Sequence, residues 1–237
     1  MTYQIIKDTS EYFFVWKPPN LPTTPTKSNP DCLISQVVED FPNLKNVEGY
    51  KKQGEYGLLN RLDNKTAGIV VIAKSDISFN SLRNKLKSSQ KVYLGFCHNL
   101  GNKEQGNIAI PIAHHYSDSK RMVLVIQNQK LDKFRFRGKP QKCETNFEKI
   151  LKNEAERIWK MYLPSHIEFP IFSIPKSDLS SYTWIKCNIL SGKRHQIRLH
   201  LKFVKYPIFG EDLYIPKTRR TKLIDHYALY AIGIEDF

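Results

Sequence analysis

Residues 57–74 read G-L-L-N-R-L-D-N-K-T-A-G-I-V-V-I-A-K, and the fold is read outward from this stretch. The apolar pair Leu58-Leu59 runs into a short polar loop, Asn60 to Thr66, and a strand-like run follows from Gly68 to Ala73. The triplet Arg61-Leu62-Asp63 therefore sits on a loop clamped between two extended segments. Rigid scaffolds tend to put reactive groups at such places.

On the N-terminal side, Tyr12–Lys17 (Y-F-F-V-W-K) reads as a buried strand of aromatic and β-branched residues. The next segment, P-P-N-L-P-T-T-P-T-K-S-N-P, holds five prolines, so it is an extended loop. Residues 31–41 suit a short helix with Asp31 as cap and Leu33, Val37 and Val38 on its apolar face. Beyond the loop, Asp76 to Lys87 reads as an amphipathic helix. Phe79, Leu82 and Leu86 lie on one side, with Arg83, Lys85 and Lys87 on a solvated basic side. Strands are expected at 91–97, 108–112, 122–126, 143–151, 182–190 and 227–234. A helix is expected from His195 to Val204, where Ile197, Leu201 and Val204 share a face. Residues 152–181 are polar and proline-bearing without a clear period, so they are expected to form an irregular insertion. Many strands, few helices and no regular strand–helix alternation predict an α+β fold. The expected form is one domain over 1–237, a mostly antiparallel or mixed sheet with flanking helices and loops.

The net charge of +14 is unevenly spread. Residues 1–60 carry 6 Lys/Arg against 7 Asp/Glu, residues 61–150 carry 17 against 7, and residues 151–237 carry 14 against 9. The surplus coincides with the motifs and favours a polyanionic partner. The hydrophobic fraction of 41% indicates a globular chain. No apolar run is long enough for a bilayer span, and no secretory signal is read at the N-terminus. A cytoplasmic, monomeric protein is the expectation. Cys32, Cys97, Cys143 and Cys187 are widely spaced and read as buried thiols.

Arg61 lies two residues from Asp63, so both side chains can reach one cleft. Arg194, Arg198 and Lys202 recur at i, i+4 and i+8 and are expected to line one helix face. A carboxylate facing an arginine stays ionised at neutral pH. It then serves either as nucleophile or base, or as half of a structural ion pair, and the residues alone leave both open. Tyr93 is either a core ring or a surface on which a base can stack. His114-His115 and the pair His195/His200 lack metal-site spacing, and no phosphate-binding or serine-hydrolase motif occurs. Neither a metal nor a cofactor is expected.

The order of these pieces resembles the RluA-type pseudouridine synthases. Their R-L-D loop is matched by Asn60 to Gly68, running on to Ala73-Lys74, and their K-x-Y motif by Lys91-Val92-Tyr93. Their G-R-x-H-Q-I-R-x-H segment is matched by Gly192 to His200, and the following P-I-x-G stretch by Pro207 to Tyr214. Lys17-Pro18 and Tyr227-Ala228-Leu229 also fall in family order, and no accessory N-terminal RNA-binding domain is expected. Asn60 and Ala67 depart from the usual His and Ser.

The resemblance implies uridine-to-pseudouridine isomerisation in a structured RNA, ribosomal or transfer. It implies that Asp63 is the nucleophile, that Arg198 pairs with and orients it, and that Tyr93 packs on the target uracil. It further implies that Arg61 enters the RNA helix where the nucleotide has left, and that Leu199 lines the base pocket. Asn60, Thr66, His195 and Gln196 fall in the same motifs as expected substrate contacts. A non-catalytic RNA-binding module on the same fold is the alternative, and it would not need Asp63. A metal-dependent nuclease would need clustered acids and histidine around the loop, which are missing.

Overall fold

Strands dominate the computed structural model, which describes residues 2–26, 30–47, 54–126, 136–220 and 223–237. In chain order they are β1 (Gln4–Asp8), β2 (Tyr12–Lys17), β3 (Ala67–Ala73), β4 (Lys91–His98), β5 (Gln105–Ile108), β6 (Ile112–His115), β7 (Met122–Leu124), β8 (Phe136–Gln141), β9 (Thr145–Ile150), β10 (Tyr182–Ile189) and β11 (Leu229–Ile234). The helices are α1 (Leu33–Asp40), α2 (Asp76–Ser88), α3 (Lys152–Tyr162) and α4 (Gln196–Phe203).

Eight strands form one sheet in the order β1-β2-β3-β11-β4-β10-β9-β5, while β7-β6-β8 form a smaller one. Every pairing is antiparallel except β3 with β11. The parallel pair brings Gly68 opposite Ala231. There φ is +141°, and a Cβ would lie 2.4 Å from the Ala231 carbonyl oxygen, so the approach tolerates only glycine. This close seam seats the Arg-Leu-Asp loop, which leads into β3, beside the start of β11.

Side-chain alternation gives the large sheet two dressed faces. On one, Ile185, Cys187 and Ile189 of β10 and Phe147 of β9 pack with Ile197 and Leu201 of α4. On the other, Trp184, Val92, Leu94 and Tyr230 join Ala155, Ile158 and Trp159 of α3. All seven residues of β3 are buried, as a central strand of Ile and Val requires.

Several expected elements shift. Helix α1 is capped by Cys32, whose Sγ accepts from the Ser35 N–H, and not by Asp31. The strand expected at 108–112 is the end of β5 and the start of β6, broken ahead of Ile112 by Pro111, which has no N–H for a ladder. The 152–181 segment is not irregular throughout, because its first eleven residues are α3. Ala155, Ile158 and Trp159 bury a narrow apolar stripe, and the Trp159 indole N–H donates to the Ile167 carbonyl at 2.8 Å. The rest runs through a 3-10 turn, Lys176–Ser181. Strands β1 and β8 had no strong pattern; both are short and largely exposed. All four cysteines are free and buried. Among the described residues, no helix is long and apolar enough to cross a membrane.

Candidate active site

The loop carrying Asp63 is held mainly by its backbone. Lys17, fully buried at the end of β2, points its ammonium at the carbonyls of Pro18, Leu21 and Asn64, at 2.9, 2.8 and 3.0 Å. Burial pulls its pKa down to about 7 against the opposing pull of Asp63, and three carbonyl acceptors at hydrogen-bond distance suit the protonated form. Thr23, from the proline-rich segment, donates to the Leu62 carbonyl at 3.0 Å and accepts from the Leu62 N–H at 3.2 Å. Asn60 donates to the Ile69 carbonyl at 3.2 Å and accepts from the Val71 N–H at 2.8 Å, bolting the loop's entry to β3. The Tyr227 N–H donates to the Lys65 carbonyl at 3.0 Å and ties the exit to the lead-in of β11.

Arg198 reaches the loop from α4. It is 2% exposed, and its Nη1 donates to Asp63 Oδ2 at 3.0 Å. Its Nε and Nη2 donate to the two oxygens of Glu211 at 2.7 and 3.0 Å, and Nη2 also reaches the Tyr227 hydroxyl at 2.9 Å. Burial works against the guanidinium charge, but Glu211 and Asp63 outweigh it and hold the group protonated. Its Cζ lies 4.0 Å from the centre of the Tyr227 ring. The Tyr227 hydroxyl donates to Asp212 Oδ1 at 3.0 Å, and Lys65 pairs with Asp212 Oδ2 at 2.6 Å. Burial and the neighbouring acids push the Tyr227 phenol pKa up.

Gly210 lets Glu211 reach the Arg198 guanidinium. Its φ is +84°, and a Cβ there would stand 1.9 Å from the His226 carbonyl oxygen, so only glycine lets the chain turn and present Glu211. The same turn is pinned by the Phe209 N–H donating to Phe96 and the Ala228 N–H donating to Phe209, at 2.8 and 2.9 Å.

Tyr93 is half-buried on the α4 face of β4, and burial together with the nearby Asp63 charge raises its pKa, so the phenol is neutral. His195 caps α4 with φ of 58°, and its Nε2 lies 3.7 Å from Asp63 Oδ2.

The other expected site residues divide. Arg61 is about half exposed and pairs with Glu55 at 3.5 Å, not with Asp63. Gln196 is buried and gives its amide to the Glu144 carbonyl and Thr145 Oγ1, at 2.8 and 3.1 Å. Leu199 is buried among Ile112, Met122, Cys143 and Tyr214. Thr66 is buried, and its hydroxyl has no partner among the described residues. The expected row of cations on α4 does not form. Arg194 is exposed but precedes the helix, Arg198 points inward, and Lys202 is the exposed cation on the helix itself. A further basic run at 133–142, suited by its sequence to phosphate contacts, lies partly outside the described residues, at 133–135.

Glu211, Asp212, Tyr214 and Tyr227 were not singled out as site residues. The signal was present as two adjacent acids following Gly210 in a chain rich in cations. Among the described residues, no cluster of His, Cys, Asp and Glu could hold a metal ion. What the site offers is one carboxylate gripped through a single oxygen, beside a neutral phenol and a neutral imidazole.

The sequence model of the family described as RNA pseudouridylate synthase matches residues 11–203. An uncharacterised RNA pseudouridine synthase of Synechocystis sp. is 22% identical over 213 residues, covering 89% of this chain and 54% of that protein. Ribosomal large subunit pseudouridine synthase D of Buchnera aphidicola subsp. Acyrthosiphon pisum is 26% identical over 214 residues, again covering 89% and 54%. The chain thus spans about half the length of the curated relatives it matches. Among solved structures, human RNA pseudouridylate synthase domain containing 1 superposes with a TM-score of 0.67 at 15% identity, over 98% of this chain and 78% of that one. Human RNA pseudouridylate synthase domain containing 4 gives 0.59 at 18%, over 96% and 81%. The same fold and a family match across most of its length lead to one assignment: the chain belongs to the RNA pseudouridylate synthase family.

Proposed function

We infer that this chain isomerises uridine to pseudouridine in a structured RNA, ribosomal or transfer, with Asp63 as the group that acts on the target nucleoside. The observation that carries this reading is the Asp63 carboxylate held 3.0 Å from a buried Arg198 whose remaining nitrogens are fixed by Glu211 and Tyr227. A structural ion pair closes on itself. Here the arginine is already satisfied by Glu211, and Asp63 stays partly exposed at the loop.

In the reaction, the bond between the sugar and the uracil nitrogen breaks, the base rotates, and a bond forms to a ring carbon that then loses its proton, while the ring nitrogen released from the sugar gains one. Atoms are conserved and no electrons are exchanged with another group. Asp63 acts by addition to the base, by attack on the sugar or by removal of a sugar proton. The uridine leaves its stack to reach the loop, and contacts in the pocket offset the unpairing. Tyr93 supplies the ring on which the uracil rests, a contact worth about 1–3 kcal/mol. Arg61, half exposed on the shoulder of the loop and in a long 3.5 Å contact with Glu55, is the cation that enters the RNA. Asn60 and Gln196 act through the loop and helix they hold, and Thr66 and Leu199 through the pocket wall.

Residues 1–237 are taken as one catalytic unit, working as a monomer in the cytoplasm. The name of the Buchnera relative makes large-subunit ribosomal RNA the first substrate to try.

The test is Asp63→Asn, with pseudouridine mapped chemically on cellular RNA. Loss of every site made by the wild type, with RNA affinity within about twofold, is the expected result. Modification that survives the substitution removes Asp63 from the chemistry. Tight RNA binding by a wild type that modifies no RNA would favour a non-catalytic binding module instead.

A further inference from the structure

His195, backed by Tyr214, makes a second approach to Asp63, opposite in character to the Arg198 grip. The β7 strand delivers the Met122 N–H to the Tyr214 hydroxyl at 2.8 Å in a buried setting. That hydroxyl lies 2.6 Å from His195 Nδ1. An N–H can only donate, so among the described residues the phenolic proton has one acceptor in reach, the ring nitrogen of His195. Nδ1 is therefore the unprotonated nitrogen, and the imidazole proton sits on Nε2. Reversing the bond would leave a buried phenolic proton without an acceptor, at a cost of about 1–3 kcal/mol. Nε2 faces Asp63 Oδ2 at 3.7 Å, on the oxygen that Arg198 already holds. Among the described residues, no hydrogen bond reaches Oδ1.

We propose that His195 is a positioning residue for Asp63, a neutral Nε2–H donor whose tautomer is set by Tyr214, so that Oδ2 is the anchored oxygen and Oδ1 the one that meets the nucleoside. The proposal rests on the reading of Asp63 given above. At 3.7 Å the contact is longer than a hydrogen bond, and it closes when RNA settles the loop, as catalytic contacts in free enzymes commonly do. Neutrality matters. An imidazolium would tie up the carboxylate or hand it a proton, whereas a neutral N–H steers it and leaves its charge in place.

Every element around the ring bears on that neutrality. Burial is the main influence, pulling the His195 pKa down to about 4; Asp63 opposes it, Arg198 from α4 and Arg194 from the preceding turn add to it, and Glu211 opposes it weakly. Tyr214, the remaining titratable neighbour, is a neutral phenol whose pKa burial raises to about 12. The hairpin that supplies Met122 is itself locked down. Arg194 donates to the Ser119 and Lys120 carbonyls at 3.0 and 3.2 Å, and Arg121 donates to the Leu213 carbonyl at 2.8 Å.

The test uses nitrogen NMR of the full chain, with His195 assigned by the signals lost in His195→Asn. Asparagine tolerates the left-handed backbone at this position. The expected spectrum is a neutral ring protonated at Nε2 at pH 7, changing to mixed tautomers in Tyr214→Phe. A ring protonated at Nδ1, or an imidazolium, at pH 7 overturns the proposal. The companion measurement is single-turnover pseudouridine formation at saturating RNA. Tyr214→Phe and His195→Asn should each slow it by about tenfold or more, in the range of a lost proton-positioning contact, with the RNA Kd unchanged. If Asp63→Asn is inactive while both of these variants run at the wild-type rate, the His195 role is wrong and the Asp63 reading stands. If Asp63→Asn remains active, the Asp63 reading falls and the role of His195 falls with it.

Discussion

The Arg-Leu-Asp loop and helix α4 each bring an arginine to the site, and the two could hardly be used more differently. Arg61 on the loop is about half exposed and shares one 3.5 Å contact with Glu55. Arg198 on α4 is 2% exposed and donates to Asp63, Glu211 and Tyr227. A buried guanidinium keeps its charge only where acids and acceptors use its whole fork, so its position is fixed. An exposed one stays hydrated and is available to a partner. Rigidity at Arg198 and freedom at Arg61 are both consequences of burial, and they suit a site in which one arginine orients an acid while the other meets RNA.

The sharpest way to break this contrast is Arg198→Ala. It would strand Glu211, itself 1% exposed, without its cation. Unfolding by denaturant should show a loss of about 3–5 kcal/mol, together with a severe fall in any pseudouridine formation. A variant as stable as the wild type would mean that the buried pair is not what holds α4 to the loop.

An intermediate effect is expected from pH, acting through His195. Its folded-state pKa lies near 4, below the ordinary 6.5 of the unfolded chain. As pH falls from about 6.5 toward 4, the unfolded chain takes up this proton first, so the folded state loses stability across that window. The loss is at most roughly 3 kcal/mol and is absent above the window. In His195→Asn the same window should flatten. Equal pH slopes for the two proteins would show that the imidazole is not held neutral by its surroundings.

The smallest stability effect belongs to Arg61→Ala, about 1 kcal/mol, because Arg61 is half exposed, its contact with the buried Glu55 is long at 3.5 Å, and Glu55 has a further interaction besides this pair. Its mark should appear on RNA binding, where the salt slope falls by about one if the side chain meets a phosphate. An unchanged slope places Arg61 away from the RNA.

Local physics made much of this molecule readable in advance. The aromatic run Tyr12–Lys17 is β2 as expected, and the Phe79/Leu82/Leu86 stripe is the buried side of α2. Alternation marked β4 and β10 to within a residue or so. Where reading failed, the reason was equally local. Cys32 is an uncommon cap, and capping preference alone selects its neighbour Asp31. Helix α3 depends on tertiary support, since Trp159 packs edge-on against Trp16, Phe169 and Tyr230. The α4 cations were read as one stripe because spacing reports which face a residue shares and not whether that face points to solvent.

By itself, the sequence determined most of the strand and helix segments, the basic surplus and the Arg-Leu-Asp loop, because period, turn chemistry and charge act over a few residues. Only the tertiary structure decided what those groups meet. It set Arg198 against Asp63 across 135 positions of chain, closed the guanidinium with Glu211 and Tyr227, and put Tyr214 behind His195. Such pairings arise when distant segments are buried together. Their energies depend on desolvation and on the full set of partners, and no local pattern contains either.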